Sequence, residues 1–523
     1  MISPHISESF VQHLAGYCAH LHGKDGEPVF VWTGEKLTCF PTATVDDAWE
    51  ALDEARTAQP QWRDMSYRKK ARVFLQWSEL IYRHKEIVVQ LSQVFAGKSR
   101  LDAVDEYMDS YITPQEVAQI MKDVHAPHHK LGVIPIQTRV TVSYDAIGVV
   151  GMFTLADFPV SYGPVDVLQA LAAGNAVVQF VPVQAALPSF ALRELLEACG
   201  LPKGVWQILP AHDISVGSAI LDELDSVAFI GNTADGADIS QRALDMFIPT
   251  AMFLSTKNQA VVFDDVDIDE AVPKAARAVY HMGGQGPCHV ERIWVQRGVY
   301  QEFLERFEDY VRSEVRVGQS WDHSATLGSL YSLDRLKRVT SHVEDALQLG
   351  ATLIHGGQQR KDIGPWFFDP TIMTNVPKDA LCYDEETYGP VVSIEPFDDI
   401  DWLDKELASS QYGYHLVLFT HNPAYTRKLV RSTTSGLISV NDAYHAMWGS
   451  HGAALAGSRD TGDGVRHSVE SITQYMKSHA QLNVYWGTLD PTWTHTGFAY
   501  EHRLLAKSRF RQVMMRLLNG YKM

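Results

Sequence analysis

The sequence predicts an α/β protein with two α/β domains, because short apolar runs typical of strands alternate twice with helical segments. The first alternation lies between residues 142 and 231, and the second runs from about residue 260 to residue 441. Strands separated by helices of this length form βαβ units around a parallel sheet. The cleft between two such domains is where we expect a binding or active site.

The individual elements follow from these patterns in chain order. A helical region is predicted first, from Thr44 to Gly97, with Thr44 and Asp47 spaced as a capping box. The first alternation predicts strands at 147–152, 176–181, 205–209 and 227–230, with helices at 165–173 and 189–199. The second predicts strands at 260–263, 293–295 and 391–394, with helices at 268–281 and 300–315, and the pattern repeats to Asn441.

Composition narrows the class of protein. The chain has 523 residues, of which 21% are charged and 46% apolar, which is typical of a soluble globular protein. Its net charge of -18 argues against a general nucleic-acid binder, because phosphate contacts need a basic surface. The N-terminus lacks the order of a signal peptide, and no apolar run is long enough to span a bilayer.

Cysteine and histidine spacing predicts no metal site. The five cysteines are widely spaced without a CxxC pair, so a reducing, cytoplasmic location is expected rather than a disulfide framework. His125, His128 and His129 have the spacing of ligands on one helix face. Pro127 interrupts that face, so a solvent-exposed loop is the preferred interpretation.

A glycine-rich loop at 283–288 ends in Cys288 just before a predicted strand. A thiol on such a loop is approachable, and nearby backbone N–H groups can lower its pKa and bind an oxyanion. The alternative is a buried cysteine that acts as a small apolar residue. The turn from Gly231 to Gly236 opens a helix and could hold a phosphate, although any strand-to-helix turn can carry glycines.

Taken in order, these segments resemble the aldehyde dehydrogenase superfamily over about residues 28–484. The matching pieces are at residues 148–159, 173–178, 200–205, 229–233, 257–258, 284–285, 385–390 and 435–441. The resemblance implies an aldehyde-dehydrogenase-like fold with two Rossmann-like α/β domains and a β-strand oligomerisation arm. It divides the chain into a dinucleotide-binding domain (1–124 and 148–254), a catalytic domain (255–455), the arm (125–147 and 472–490) and a C-terminal extension (491–523).

The family mechanism is attack of a thiolate on an aldehyde, hydride transfer to NAD or NADP, and hydrolysis of the thioester by glutamate-activated water. Family spacing places the thiol at Pro287, so the candidate nucleophile, Cys288, stands one residue late. Phe253 occupies the position of the base, and Asp157 that of the Asn that donates to the oxyanion. An ionised Asp157 would repel that charge, whereas a protonated one with a raised pKa could donate to it.

Cofactor positions are only partly retained. The resemblance assigns Gly231, Thr233, Glu386 and Tyr388 to the NAD or NADP site. Phe180 stands where the family has a ribose-binding lysine.

Three accounts fit these departures. The first is an impaired or altered oxidation of an aldehyde through Cys288. In the second, coenzyme A rather than water takes the acyl group, which the loss of the base at Phe253 suits. The third is a catalytically inactive homologue that serves as a scaffold or binding partner.

The resemblance also implies a homodimer or homotetramer, and the sequence adds a basic amphipathic helix at about 501–521 in the C-terminal extension. That helix could lie on an anionic membrane surface or dock on a protein partner. Equally, it could pack on its own fold with its basic face in solvent.

Overall fold

Two sheets built mainly of parallel strands, and a smaller antiparallel one, organise the molecule in a computed structural model that describes residues 2–131, 138–450, 452–485 and 509. The two alternations in the sequence form the two large sheets, so the predicted α/β class is confirmed. Within the described residues, no helix is long and apolar enough to cross a membrane.

The N-terminal region is mostly helical, as predicted. Its elements are α1 (Glu8–Ala15), β1 (Asp25–Gly26), β2 (Val29–Phe30), β3 (Glu35–Lys36), β4 (Phe40–Pro41), α2 (Val45–Arg63), α3 (Tyr67–Arg83), α4 (Lys85–Ala96) and α5 (Arg100–His125). The predicted capping box begins α2, where the Thr44 N–H donates to the Asp47 carboxylate over 2.7 Å. The Trp62 indole donates to the Leu171 carbonyl over 2.7 Å, which ties α2 to the first large sheet's helices.

The first large sheet has five parallel strands. They are β7 (Val149–Phe153), β8 (Ala176–Pro182), β9 (Trp206–Ala211), β10 (Ser226–Ile230) and β11 (Thr250–Phe253), in the order β11-β10-β7-β8-β9. The helices that accompany them are α6 (Val167–Ala173), α7 (Val183–Ala198), α8 (Ser215–Ser218) and α9 (Thr233–Asp245). Helix α7 begins at Val183 rather than at 189, because Pro188 is accommodated inside it.

The second large sheet has seven strands in the order β14-β15-β16-β13-β12-β17-β18, parallel except for the pair β14 and β15. They are β12 (Asn258–Val262), β13 (Val290–Gln296), β14 (Thr352–His355), β15 (Thr371–Thr374), β16 (Val391–Phe397), β17 (His415–Phe419) and β18 (Leu437–Val440). Their helices are α10 (Ile268–Tyr280), α11 (Arg297–Glu314), α12 (Leu333–Gln348), α13 (Leu381–Asp384), α14 (Ile400–Ser409), α15 (Pro423–Ser432) and α16 (His445–Trp448).

The third sheet is antiparallel and lies where the sequence predicts the arm. Strand β6 (Thr138–Ala146) pairs with β5 (His128–Leu131) on one side and β21 (Met476–Val484) on the other. Between the second sheet and β21 lie β19 (Leu455–Ala456), β20 (Val465–Arg466) and α17 (Glu470–Thr473). The role of this sheet in oligomerisation and the domain boundaries stay predictions, and the extension at 491–523 lies outside the described residues apart from residue 509.

The histidine-rich segment is not the loop that its sequence indicated. His125 ends α5, with its Nε2 2.8 Å from the Ala172 carbonyl oxygen, while His128 and His129 lie in β5. Pro127 does end the helix, but the chain then pairs at once with β6 instead of remaining irregular. The prediction of a solvent-exposed loop is therefore wrong.

Candidate active site

A continuous groove runs along the carboxyl ends of strands β10 and β11, the position at which open parallel sheets bind ligands. One cavity, of about 170 Å³, is lined by Phe253, Pro287 and Glu386. Another, of about 190 Å³, extends to Phe180. The two cavities share Gly231 and its neighbours in their walls. The groove therefore extends along the ends of the strands from Phe180 to Glu386.

The turn that the sequence predicts to hold a phosphate is formed by Gly231 and the start of α9. A Cβ atom at Gly231 would come within 2.5 Å of the Phe229 ring, so a side chain would collide there. Asn232 caps α9, because its Oδ1 accepts the Asp235 N–H over 2.9 Å. Thr233 belongs to the first turn, but its hydroxyl donates to the Asp460 carbonyl over 2.8 Å. The start of α9 faces the groove at Gly231 and Asn232, while the Thr233 hydroxyl donates its proton to Asp460.

Glu386 and Tyr388 line the other end of the groove. The Glu386 carboxylate accepts the Thr256 N–H over 2.8 Å and the Thr256 hydroxyl over 3.1 Å. Burial, and then the charge of Glu291, raise the pKa of Glu386. Tyr388 presents its ring to the Arg335 guanidinium, 4.6 Å from the ring centroid. These two residues face the groove as the resemblance implies, while Phe180 stacks on Phe153 at 4.9 Å and offers no charge.

Cys288 is buried, with only 1% of its surface exposed. Burial raises the pKa of its thiol to about 12, although the charge of Arg466 and a hydrogen bond with the Tyr414 hydroxyl oppose that increase. Cys288 lines a third cavity of about 210 Å³, while Tyr414, its hydrogen-bond partner, lines the groove. Pro287 lines both.

The loop that carries Cys288 is held by contacts on both sides. The Asn258 amide donates to the Pro287 carbonyl over 2.6 Å, and His415 Nδ1 lies 3.1 Å from the Cys288 carbonyl oxygen. Gly284 has a φ of 67°, and a Cβ there would lie 2.1 Å from the Gly389 carbonyl oxygen. The backbone of the loop at Gly284 therefore packs directly against the backbone at Gly389, so the loop that carries Cys288 has little room to shift.

Asp157 is buried and faces Tyr388, which donates its hydroxyl proton to Asp157 Oδ2. In the described part of the chain, Asp157 Oδ1 has no hydrogen-bond partner. Burial raises the pKa of Asp157, opposed chiefly by the Tyr388 hydrogen bond and the charge of Lys98. Asp157 is not among the described residues that line the groove or the cavity beside Cys288, so the structure does not place its carboxyl at an oxyanion position. The structure thus pairs Asp157 with Tyr388, and Cys288 with Tyr414.

Sequence reasoning did not single out Arg466, which closes the groove beside Phe253. Its guanidinium lies 3.4 Å from the centroid of the Tyr162 ring and 5.8 Å from that of Phe253, and it pairs with Asp166. A lone arginine after a glycine-rich stretch has no periodic signal in the sequence. Only the fold shows that this cation acts on the Cys288 thiol.

Below the groove lies a buried ion pair between Lys257 and Glu291. The Glu291 carboxylate also accepts the N–H groups of Thr387 and Tyr388, and lies 2.7 Å from His289 Nε2. Burial alone would raise the pKa of Glu291, but Lys257 and then His289 hold it well below its usual value. This network positions the segment before β16, which carries Glu386 and Tyr388.

Replacing Lys257 with Met should lower the free energy of unfolding by about 3–5 kcal/mol, because it leaves Glu291 charged and buried without its cation. The matched control is Lys378→Met, which removes an exposed partner of Glu406 and should cost about 0–1 kcal/mol. Denaturant titration of both variants measures the difference. Equal losses would show that Glu291 does not depend on Lys257.

No group of three or more potential metal ligands occurs among residues 2–131, 138–450, 452–485 and 509.

The two sheets, the groove at their strand ends and the buried cysteine beside it define an aldehyde-dehydrogenase-like protein. The chain belongs to the aldehyde dehydrogenase family, whose model matches residues 24–480. Among curated relatives, the putative succinate-semialdehyde dehydrogenase [NADP(+)] 2 of Mycobacterium ulcerans is 34% identical over 88% of this chain and 89% of its own. Its Mycobacterium tuberculosis H37Rv counterpart is 33% identical over 91% and 92%.

Solved structures share the fold of this chain. Succinate-semialdehyde dehydrogenase from Burkholderia pseudomallei matches with a TM-score of 0.83 at 25% identity, over 88% of this chain and 95% of that one. PnpE from Pseudomonas sp. WBC-3 matches with a TM-score of 0.85 at 24% identity, over 90% and 96%.

Proposed function

We propose that this protein oxidises an aldehyde with NAD or NADP through the Cys288 thiol, at a rate lowered by its substituted site. The observation that carries the proposal is that Cys288 lines the cavity of about 210 Å³ and hydrogen-bonds to Tyr414, which lines the groove. We call that cavity the substrate-side cavity. Gly231, Thr233, Glu386 and Tyr388 are the proposed cofactor residues.

The chemistry balances with one water and one dinucleotide for each aldehyde. The Cys288 thiolate forms a C–S bond to the carbonyl carbon, whose π electrons move to oxygen. The carbonyl bond re-forms as hydride leaves, which makes a thioester, and water then cleaves the C–S bond to release the acid and the thiol. A bound dinucleotide would supply the hydride acceptor. Arg466 and Tyr414 favour the thiolate against burial.

The substitutions slow particular steps. Phe253 lines the groove at the base position and has no group that takes a proton from water, so thioester hydrolysis is slow. Asp157, which replaces the family's Asn, accepts from Tyr388 and lines neither the groove nor the substrate-side cavity, so stabilisation of the oxyanion is weakened.

A non-catalytic, ligand-binding homologue is the second candidate. It is favoured by Pro287, which occupies the groove wall where family spacing places the thiol. A third outcome, transfer of the acyl group to coenzyme A, depends on the same missing base.

For all three we propose a cytoplasmic homodimer or homotetramer, with the sheet of β5, β6 and β21 as the assembling surface. A protein or membrane partner of the C-terminal helix is a separate proposal.

The test is titration of the purified protein with NAD and NADP, followed by NAD(P)H absorbance with a panel of aldehydes. We expect dinucleotide binding and slow turnover, which Cys288→Ala abolishes and Cys39→Ala, at an exposed thiol, leaves unchanged. Binding without turnover would support the non-catalytic candidate, and turnover only with coenzyme A would support acyl transfer. Failure to bind either dinucleotide would contradict every redox account.

A further inference from the structure

We infer that the substrate-side cavity selects an uncharged apolar or aromatic aldehyde and rejects an aldehyde that carries a carboxylate. The inference rests on the proposed function and names the substrate class of that same site. Its basis is the shape and charge of the cavity. Cys288 and Pro287 form one end of the cavity, and residues from α5, from the end of α10 and from α16 form its walls.

One wall of the cavity is a ladder of flat rings. The centroids of His281 and Tyr444 are 4.2 Å apart with their planes at 26°, and those of Tyr444 and His445 are 4.3 Å apart at 23°. Phe158 and Met282 pack together as a small buried cluster that also lines the cavity. Ring faces and a thioether bind apolar and aromatic groups well, because such groups gain dispersion contacts without losing hydrogen bonds.

The charge in the cavity is negative. Asp105 lines it. Lys98 lies 3.5 Å from the centroid of the Phe158 ring, which also lines the cavity, but it pairs with Glu106 at 2.7 Å. Arg277 is shared between Asp105 at 2.6 Å and Asp102 at 2.8 Å. Two carboxylates and one guanidinium leave a net charge of about -1 on this cluster at neutral pH. The Tyr444 hydroxyl donates its proton to Asp105 over 2.6 Å, so that proton is not available to a substrate carboxylate.

Of the two histidines on the wall, the buried one, His281, supplies no compensating charge. Burial, and then the charge of Arg277, hold the pKa of His281 well below its usual value, so its ring is neutral. The described residues that line the cavity include no lysine or arginine. A substrate carboxylate would therefore approach Asp105, whose side chain is 25% exposed, with no lysine or arginine among the described lining residues to face it, and the two like charges would repel each other.

This substrate class differs from that in the names of the relatives above, because succinate semialdehyde carries a carboxylate at the end opposite its aldehyde. The difference makes the inference specific to this chain. The arrangement of Asp105, Arg277 and Tyr444 carries it.

The experiment uses primary amides as unreactive counterparts of aldehydes. Calorimetric titration of the full-length protein should show benzamide or hexanamide binding at least about tenfold more tightly than succinamate, which corresponds to about 1.4 kcal/mol. The same order should hold for kcat/KM with benzaldehyde, hexanal and succinate semialdehyde. Succinamate binding as tightly as benzamide, or no binding of any amide, would overturn the inference.

A variant with an added cation sharpens the test. Met108 lines the cavity from α5 and is partly exposed, so Met108→Arg should fold and should strengthen succinamate binding about tenfold while leaving benzamide nearly unchanged. Met246→Arg, at an exposed methionine beyond the end of α9, is the matched control and should change neither. A Met108→Arg variant that folds but does not gain succinamate affinity would contradict the inference.

Amide binding needs no turnover, so the two proposals fail separately. Selective amide binding without NAD(P)H formation would contradict only the proposed oxidation. Turnover with equal preference for charged and uncharged aldehydes would contradict only the selectivity.

Discussion

Raising the pH from 7 to 9 should accelerate aldehyde oxidation by this protein about 100-fold, because only the thiolate attacks a carbonyl. The pKa of Cys288 is raised to about 12, so both pH values lie below it. In that range each pH unit increases the thiolate fraction about tenfold. The rate of the initial burst of NAD(P)H, which precedes the slow hydrolysis of the acyl-enzyme, measures the slope at saturating aldehyde and constant ionic strength.

The controls separate the thiol from other titrating groups. Alkylation of Cys288 by iodoacetamide, followed by peptide mass spectrometry, should show the same pH dependence without any dinucleotide. The Cys39→Ala variant should retain the full slope, since that exposed thiol lies outside the site. A rate that is flat between pH 7 and 9 would show that attack by Cys288 does not limit the reaction.

Replacing Phe253 with Glu should accelerate hydrolysis of the acyl-enzyme by about 100-fold to 10,000-fold, the range typical of a positioned general base. Phe253 ends β11 and lines the groove beside Pro287, so a carboxylate there has access to water in the groove. The native protein should release a burst of NAD(P)H of about one equivalent and then turn over slowly. Stopped-flow absorbance and the intact mass of acylated protein follow the two phases.

The matched control is Phe253→Gln, which has the size and polarity of the glutamate variant but accepts no proton near neutral pH. Only Phe253→Glu should shorten the lifetime of the acyl-enzyme. Equal lifetimes in the two variants would show that the missing base does not limit hydrolysis. If added coenzyme A discharges the native acyl-enzyme rapidly, the protein transfers acyl groups instead of hydrolysing them.

The helices and strands were largely predictable because their signals are local. The capping box at Thr44, the strand that ends at Ile230 and the turn at Gly231 depend on residues a few positions apart. The prediction for the histidine segment failed because strand pairing in the folded chain overrode the local signal. Pro127 ended a helix as expected, but pairing with β6 made the following histidines a strand.

The candidate site was predictable only in part. Spacing along the chain located the loop of Pro287 and Cys288 and the groove positions Gly231 and Glu386. It left open whether Cys288 is an approachable thiol or a buried one. The structure shows a buried thiol that lines the substrate-side cavity, with a raised pKa.

The sequence by itself determined the α/β class, the order of its elements, the family and the substitutions at Pro287, Phe253 and Asp157. Only the tertiary structure decided the charge environment of these positions. Tyr388 reaches Asp157 across 231 residues of chain, and Arg466 reaches Asp166 across 300. Such pairs leave no local pattern, and the pKa of a buried group depends on the charges and the solvent that the folded chain places around it.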